Sequence, residues 1–405
     1  MKILYSVQRY GTEIVGGSES ACRQFAEQLV SRGHEVHVLT STALSYVTWA
    51  NHYQPGTSVI NGVVVHRLPV QYERDSDVFA RVHEQILKNP ALASLSEQQT
   101  WAKEMGPVLD GHVQWLREHA GDFDVAVFMT YMYSTATVGI PSVYGLAPIV
   151  FQPTSHDEPS AHLPMYRVIF SMADAFLYFT EEEQRVVQRL YSPAAEGRVV
   201  GIGMPTDVLH TDGNSFREKY GLGNDPYLLY VGRVDVFKGV AELVRFFVEY
   251  KGHHPNNLKL VLAGESVMEI PEHPDIQHVG FLEDSVKQDA IAGSIALVQP
   301  SPFESFSIVL CEAWLQSRPV LVQGASEVMV GQVNRSQGGL PYNGFAEFDG
   351  CLHWLYENQE EAAQLGESGR QYVLENYNWS TVLEKFESMV DAAQRNFHSR
   401  VSVLR

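Results

Sequence analysis

Cysteine is scarce in this chain. The three cysteines, Cys22, Cys311 and Cys351, stand far apart and mostly in apolar company. That excludes a disulfide framework and any zinc spacing, and leaves them as reduced packing residues. Long apolar runs are also missing. None reaches the roughly eighteen residues that a membrane span needs, and the opening Met1-Lys-Ile-Leu-Tyr-Ser-Val reads as a first strand rather than a secretory leader. Positive charge is in short supply too, with 29 Lys plus Arg against 48 Asp plus Glu and a formal net charge of −19. Both halves are acidic, which argues against nucleic acid and leaves no polybasic surface for anionic lipid. The expected compartment is the cytoplasm. An anionic ligand would have to be held by a few placed cations, so individual Lys and Arg residues matter.

What is present is the composition of a globular protein, 45% hydrophobic and 19% charged over 405 residues. That length suits two domains of about 200 residues each. In the first half, apolar runs at 2–7, 36–40, 63–68, 124–129, 148–151, 175–179 and 198–201 alternate with helical spacing. One such helix is expected to start at Ser18 and stop at Gly33. A polar stretch at 206–223 then precedes a fresh alternation, with strands expected at 227–231, 258–263, 279–282, 295–298 and 319–322. Strand–helix alternation implies α/β domains built on mainly parallel sheets covered on both faces, here residues 1–205 and 206–380. Residues from about 77 to 119 fit less well. Phe79, Val82 and Ile86, then Trp101, Met105, Leu109, Val113 and Leu116, predict an αα-hairpin parted at Asn89-Pro90. Such an insertion serves as the wall of an acceptor pocket, as a dimer surface or as decoration.

Ligands of doubly wound sheets bind beyond the carboxyl ends of the strands, and four segments fall there. Gly16 and Gly17 lie between the first strand and its helix, where they either cradle a ligand or make a tight turn. His156, in Ser155-His156-Asp157, follows a strand and is either a surface histidine or part of the chemistry. Arg233 and Lys238, between Gly232 and Gly239, offer two cations beside a helix start, as a diphosphate requires. The fourth segment, residues 300–312, reads Pro-Ser-Pro-Phe-Glu-Ser-Phe-Ser-Ile-Val-Leu-Cys-Glu. It predicts a helix beginning near Ser305 that is apolar on every side and therefore buried. Glu304 stands at its start, where backbone N–H groups lack partners, and Glu312 in its middle. An unpaired buried carboxylate costs several kcal/mol, roughly, so Glu312 needs either a ligand's hydroxyls or an Arg from elsewhere.

In order and spacing these motifs resemble the retaining GT-B-type glycosyltransferases of family four. The features that carry the resemblance are Gly16-Gly17, Ser155-His156-Asp157, Gly232-Arg233 with Lys238-Gly239, Glu304 and Glu312 in a Glu-x7-Glu pattern, and the tail beginning Asn378-Trp379. It implies the GT-B fold, two Rossmann-like doubly wound domains facing across a cleft, with residues 381–405 as a helix returning to the first domain. It implies a nucleoside-diphosphate sugar as donor, no metal and no further cofactor, and a saccharide or small-molecule acceptor; an oligomer is compatible with it. Arg233 and Lys238 would stabilise the leaving diphosphate, Glu312 the ribose hydroxyls, and Glu304 the donor sugar. Backbone N–H groups of Phe306, Ser307 and Ile308 would grip the sugar and its phosphate, and His156 would hold the sugar for attack. The pattern departs from the family at Ser305 and Ser307, where glycines are usual, at Gly264-Glu265-Ser-Val, and across residues 320–331. Two alternatives stay open: a GT-B phosphorylase or synthase acting on a sugar phosphate, and a module that binds a sugar nucleotide without turnover.

Overall fold

Runs such as Val-Ala-Val-Phe-Met and Tyr-Leu-Leu-Tyr-Val are apolar on both faces, so they form interior strands with helices on either side. The computed structural model describes residues 1–14, 16–207 and 210–403. It divides into Met1–Gly203 with Ser380–Arg405, and Met204–Trp379.

The first unit holds β1 (Lys2–Ser6), β2 (Glu35–Ser41), β3 (Gly56–Ile60), β4 (Val63–Leu68), β5 (Val125–Met129), β6 (Ile149–Gln152), β7 (Ala175–Tyr178) and β8 (Gly197–Val199). They form one sheet in the order β3-β4-β2-β1-β5-β6-β7-β8. All pairings are parallel except the edge pair β3–β4. Chain order reverses between β1 and β5, so the loops after these strands flank the crevice where ligands of such sheets bind. The helix Trp379–Val403 closes this unit. Phe386 packs on Phe25 and Tyr5, Arg32 grips Glu387 at 2.9 and 3.0 Å, and Arg400 reaches both carboxylate oxygens of Asp174.

The second unit holds β9 (Tyr227–Val231), β10 (Lys259–Ala263), β11 (Ile276–Gly280), β12 (Ala296–Gln299), β13 (Val320–Gln323) and β14 (Gly339–Tyr342). Their order is β11-β10-β9-β12-β13-β14, parallel throughout. Here the reversal falls between β9 and β12. The β9 loop carries Arg233 and Lys238, and the β12 loop carries Glu304. Both units are thus doubly wound parallel-sheet domains, as the alternation of the sequence predicts. No helix among the described residues is long and apolar enough to cross a membrane.

Several boundaries differ from the sequence reading. The strand expected at 279–282 lies at Ile276–Gly280, because Gly280 takes a φ of +73° and ends it. Ile276 and Gln277, half-exposed, and His278, exposed, gave little apolar signal. The hairpin strand β3 and the edge strand β14 were not foreseen. In the helical insertion, Ser76–Leu87 and Leu95–Met105 pack as a hairpin. The predicted run from Trp101 to Leu116, however, is two helices. Gly106-Pro107 ends the first, with Gly106 at φ +66° and proline unable to continue the backbone ladder, and the second is His112–His119. The first helix of the chain begins at Gly17 rather than after Ser18. The helix expected from Ser305 begins at Ile308.

That last helix, Ile308–Leu315, is seated on Gln359–Asn376 through small residues. Trp314 donates its indole N–H to the Gly338 carbonyl at 2.8 Å, and a Cβ on Gly369 would run into the Trp314 ring. Gly369→Ala should therefore destabilise the protein by about 1–3 kcal/mol through overpacking, read as a lower midpoint in urea unfolding.

Candidate active site

In the second unit, two loops meet through one ion pair. The β9 loop turns through Gly232, Arg233 and Asp235 into a short 3-10 turn, Val236–Lys238, before the helix Val240–His253. Gly239 follows Lys238 at φ +76°, and a Cβ there would strike the Pro300 carbonyl. This glycine is required both for its conformation and for the close approach of the β9 and β12 loops. The approach brings Lys238 Nζ to 2.8 Å from Glu304 Oε1, with 38% and 15% of the side chains exposed. Arg233 pairs with Asp235 at 2.7 Å. Tyr230 sits beneath: its hydroxyl donates to the Arg233 carbonyl at 2.8 Å. Burial pushes this phenol up, Glu304 and Asp235 push it further and Arg233 opposes them. Gly232 lies against the same group, a Cβ there falling 2.8 Å from the Tyr230 oxygen.

Glu304 leads into the helix start. Ser301 ties the loop by donating to the Phe303 carbonyl at 3.0 Å, and the fully buried Gln332 donates to the Phe306 carbonyl. The Phe306 side chain is buried, edge-on to Tyr377. Ser307 caps the helix at φ +64°, a left-handed conformation that costs a residue bearing a Cβ about 1–2 kcal/mol. Its buried hydroxyl has no hydrogen-bond partner among the described residues. The first N–H groups of the helix lack intrahelical acceptors by construction, which makes this end attractive to anions.

The helix itself is not sealed all round. Leu310, Cys311, Ala313, Trp314 and Leu315 are buried, whereas Ile308, Val309 and Glu312 share a half-exposed face. Glu312 Oε1 accepts from Lys287 Nζ at 2.8 Å. The carboxylate therefore has a protein partner, a lysine from the helix Asp284–Gly293 rather than an arginine. Burial and, more weakly, Asp284 push Glu312 up, and Lys287 is what opposes them.

In the first unit, Gly16 and Gly17 begin the helix after β1, next to the order reversal. Neither has a positive φ. Gly16 is glycine for want of room, since a Cβ would collide with the Glu19 carboxylate and lie 3.0 Å from Arg9. Arg9 and Glu19 form a buried pair at 2.6 Å. Gly17 has open space where a Cβ would stand. His156 follows β6, with Nε2 3.4 Å from Glu158 Oε2, and Tyr131, in the β5 loop, donates to Glu158 Oε1 at 2.7 Å. Burial pushes the Glu158 carboxyl up, but His156 and the Tyr131 and Ser160 hydroxyls outweigh it and hold it below the usual range. Glu183 anchors the same loop, accepting the N–H groups of Ser155 at 2.9 Å and Phe179 at 2.6 Å. Asp157 is not part of this cluster; it pairs with Arg189 and His162. Asp75 caps the helix Ser76–Leu87, and Asp124 accepts the Lys2 N–H at 2.7 Å.

The six-stranded unit thus gathers Gly232, Arg233, Lys238, Glu304, Phe306, Ser307, Ile308 and Glu312 around the loops at its order reversal and the helix that follows. The eight-stranded unit places Gly16 and His156 on loops at its own carboxyl edge, and Gly17 at the start of the helix there. Lys287, Tyr230, Asp235, Arg9, Glu19, Glu158 and Glu183 were missed by the sequence reading. Of these, Lys287 alone carried a signal, as a cation in a helix otherwise expected to pack.

Two parallel-sheet α/β units, each with loops converging at an order reversal, define a GT-B protein. Family comparison agrees: residues 16–203 match the glycosyl transferase 4-like domain and residues 225–340 match glycosyl transferases group 1. The chain is a glycosyltransferase of the GT-B type. An uncharacterised glycosyltransferase of Methanocaldococcus jannaschii is 24% identical over 354 residues, 82% of this chain and 84% of that one. HepE of Anabaena, solved with UDP and glucose, superposes with a TM-score of 0.71 at 15% identity, covering 97% of this chain and 100% of that one. Sucrose-phosphate synthase of Thermosynechococcus elongatus gives 0.69 at 17% identity, covering 95% and 97%.

The two glycines should separate experimentally. Gly16→Ala must displace Glu19 and Arg9 and should cost about 1–3 kcal/mol. Gly17→Ala should leave unfolding within about 0.5 kcal/mol of wild type. Denaturant titration of both variants checks this, and equal effects would refute the packing account.

Proposed function

We propose that this glycosyltransferase moves a sugar from a nucleoside-diphosphate sugar to a hydroxyl of a saccharide or small-molecule acceptor, with retention and without a metal. The bond from the anomeric carbon to the diphosphate breaks, and a bond to the acceptor oxygen forms on the same face. The acceptor's proton passes to the departing phosphate. Arg233 and Lys238 offset the charge that develops on that phosphate, a task suited to preorganised cations beside a helix start. Glu304 accepts from hydroxyls of the donor sugar, Glu312 from the ribose, and the N–H groups of Phe306, Ser307 and Ile308 hold the sugar and its phosphate. Gly232 keeps the tip of β9 open, and Gly17 leaves room for close approach of the donor beside Gly16. His156, held by Glu158, is assigned to the donor sugar from its place after β6.

The observation that carries this reading is the 2.8 Å contact between Lys238 and Glu304. It brings the cation assigned to the phosphate and the carboxylate assigned to the sugar to one point at the sheet's order reversal. HepE structures carry UDP and UDP-glucose, so UDP-glucose is the first donor to test.

UDP, GDP and ADP should be screened by thermal shift. A nucleotide present at 100 times its Kd should add about 2.7 kcal/mol of stability. With the donor so identified, Lys238→Ala should lose roughly 100-fold or more in kcat while its circular dichroism and Tm stay near wild type. Wild-type turnover in that variant would overturn the assignment.

A further inference from the structure

Lys287 stands where helix electrostatics disfavour it. It is the fourth residue of Asp284–Gly293, close to the positive end of the dipole. Only 18% of its side chain is exposed. Asp284, one turn back, contacts it at 3.0 Å but is itself almost fully exposed. The substantial partner is Glu312 at 2.8 Å, 16% exposed, on the half-open face of the neighbouring helix. A second contact fixes the two helices side by side: Gln316 donates to Gln288 at 3.1 Å. Every hydrogen bond of Glu312's side chain among the described residues runs through Oε1. Oε2 and the remaining lone pair of Oε1 stay available to accept.

A vicinal diol presents two donors at the spacing of one carboxylate. To accept both, the carboxylate must be ionised and held in one rotamer. Burial works against ionisation, and an unpinned glutamate has several rotamers; an ammonium fixed on one oxygen answers both needs.

We propose that Lys287 is the positioning residue for the Glu312 carboxylate, and that this lysine–glutamate pair makes the enzyme select ribonucleotide donors over 2′-deoxyribonucleotide ones. The inference rests on the nucleotide-sugar reading above. In it, Lys287 touches no substrate; it holds the group that does. Removing it leaves a carboxylate that is poorly ionised and free to turn. The second hydroxyl then contributes little, and discrimination falls along with affinity.

The test compares UDP, GDP and ADP with their 2′-deoxy forms, by calorimetry on the full chain. Wild type should favour the ribose form of its nucleotide by about tenfold or more. Lys287→Met should weaken the ribose form by about tenfold, leave the deoxy form nearly unchanged, and raise donor KM more than it lowers kcat. Lys287→Arg should restore most of the discrimination, since it keeps the charge and the donor. Should the methionine variant fail to fold, Lys287→Gln, which is polar but shorter and uncharged, carries the same expectation. Unaltered affinity and discrimination in a folded variant overturn this inference alone. Wild-type protein that binds none of the three nucleotides overturns the nucleotide reading and this inference with it.

Discussion

A carboxylate in a nearly apolar helix cannot stand without a cation, and the second unit is arranged around that requirement. Leaving Glu312 unpaired would cost several kcal/mol, roughly. The helix Asp284–Gly293 therefore presents Lys287 to it, and Gln288 meets Gln316 beside it. Glu304, on the loop before the helix, also has a lysine partner, Lys238, which is itself more than a third exposed. Each pair ties two segments together: helix to helix in one case, the β9 loop to the β12 loop in the other. The glycines that let these segments approach, Gly239 against Pro300 and Gly264 against the Gly232 carbonyl, follow from the same demand. A Cβ on Gly239 would push apart the loops that carry Lys238 and Glu304, and one on Gly264 would drive the end of β10 from the β9 loop.

Why the site falls at β9 and β12 is a matter of topology. Crossover helices leave β9 and β12 toward opposite sides, and only between them do the loops diverge enough to leave a crevice. Ser307 shows how tightly the region is built. A left-handed backbone is natural to glycine, yet serine holds it here, kept in place by Gln332 on the preceding carbonyl and by the buried rings of Phe306 and Tyr377. Strain of this kind persists only where neighbours over-determine the geometry.

Much of this was legible in the residues. Alternating apolar runs specify two parallel-sheet units because a strand apolar on both faces must be covered on both. Glu312 announced a need for a partner because no apolar helix carries a carboxylate for free. The partner's identity was not legible: Lys287 lies 25 residues earlier, and which way its helix faces is set by packing with the helix Ile308–Leu315. Glu158 was equally hidden, since only the fold brings Tyr131, 27 residues before it, to its side. Two local signals were outweighed by broader patterns. Asn61-Gly62, both at positive φ, is the turn that pairs β3 with β4, but β3 is too exposed to show an apolar run. Gly106-Pro107 breaks a helix whose apolar spacing continues past it, because Leu109 returns to the core beside Val70.

The charges of the site lead to one further step. Arg233, Lys238 and Lys287 each hold a carboxylate, respectively Asp235, Glu304 and Glu312. The local charge is close to balanced, as suits a chain that is acidic throughout. Under the proposed function, a bare diphosphate would draw Lys238 away from Glu304 and leave that carboxylate poorly compensated. A free sugar would offer hydroxyls to Glu304 without anything to occupy the lysine. Only a molecule carrying phosphate and hydroxyls at fixed separation satisfies both members of the pair at once. Selectivity for the intact sugar nucleotide over its fragments then follows from the pairing itself. It also means that transfer, which separates sugar from diphosphate, weakens the hold on both products together.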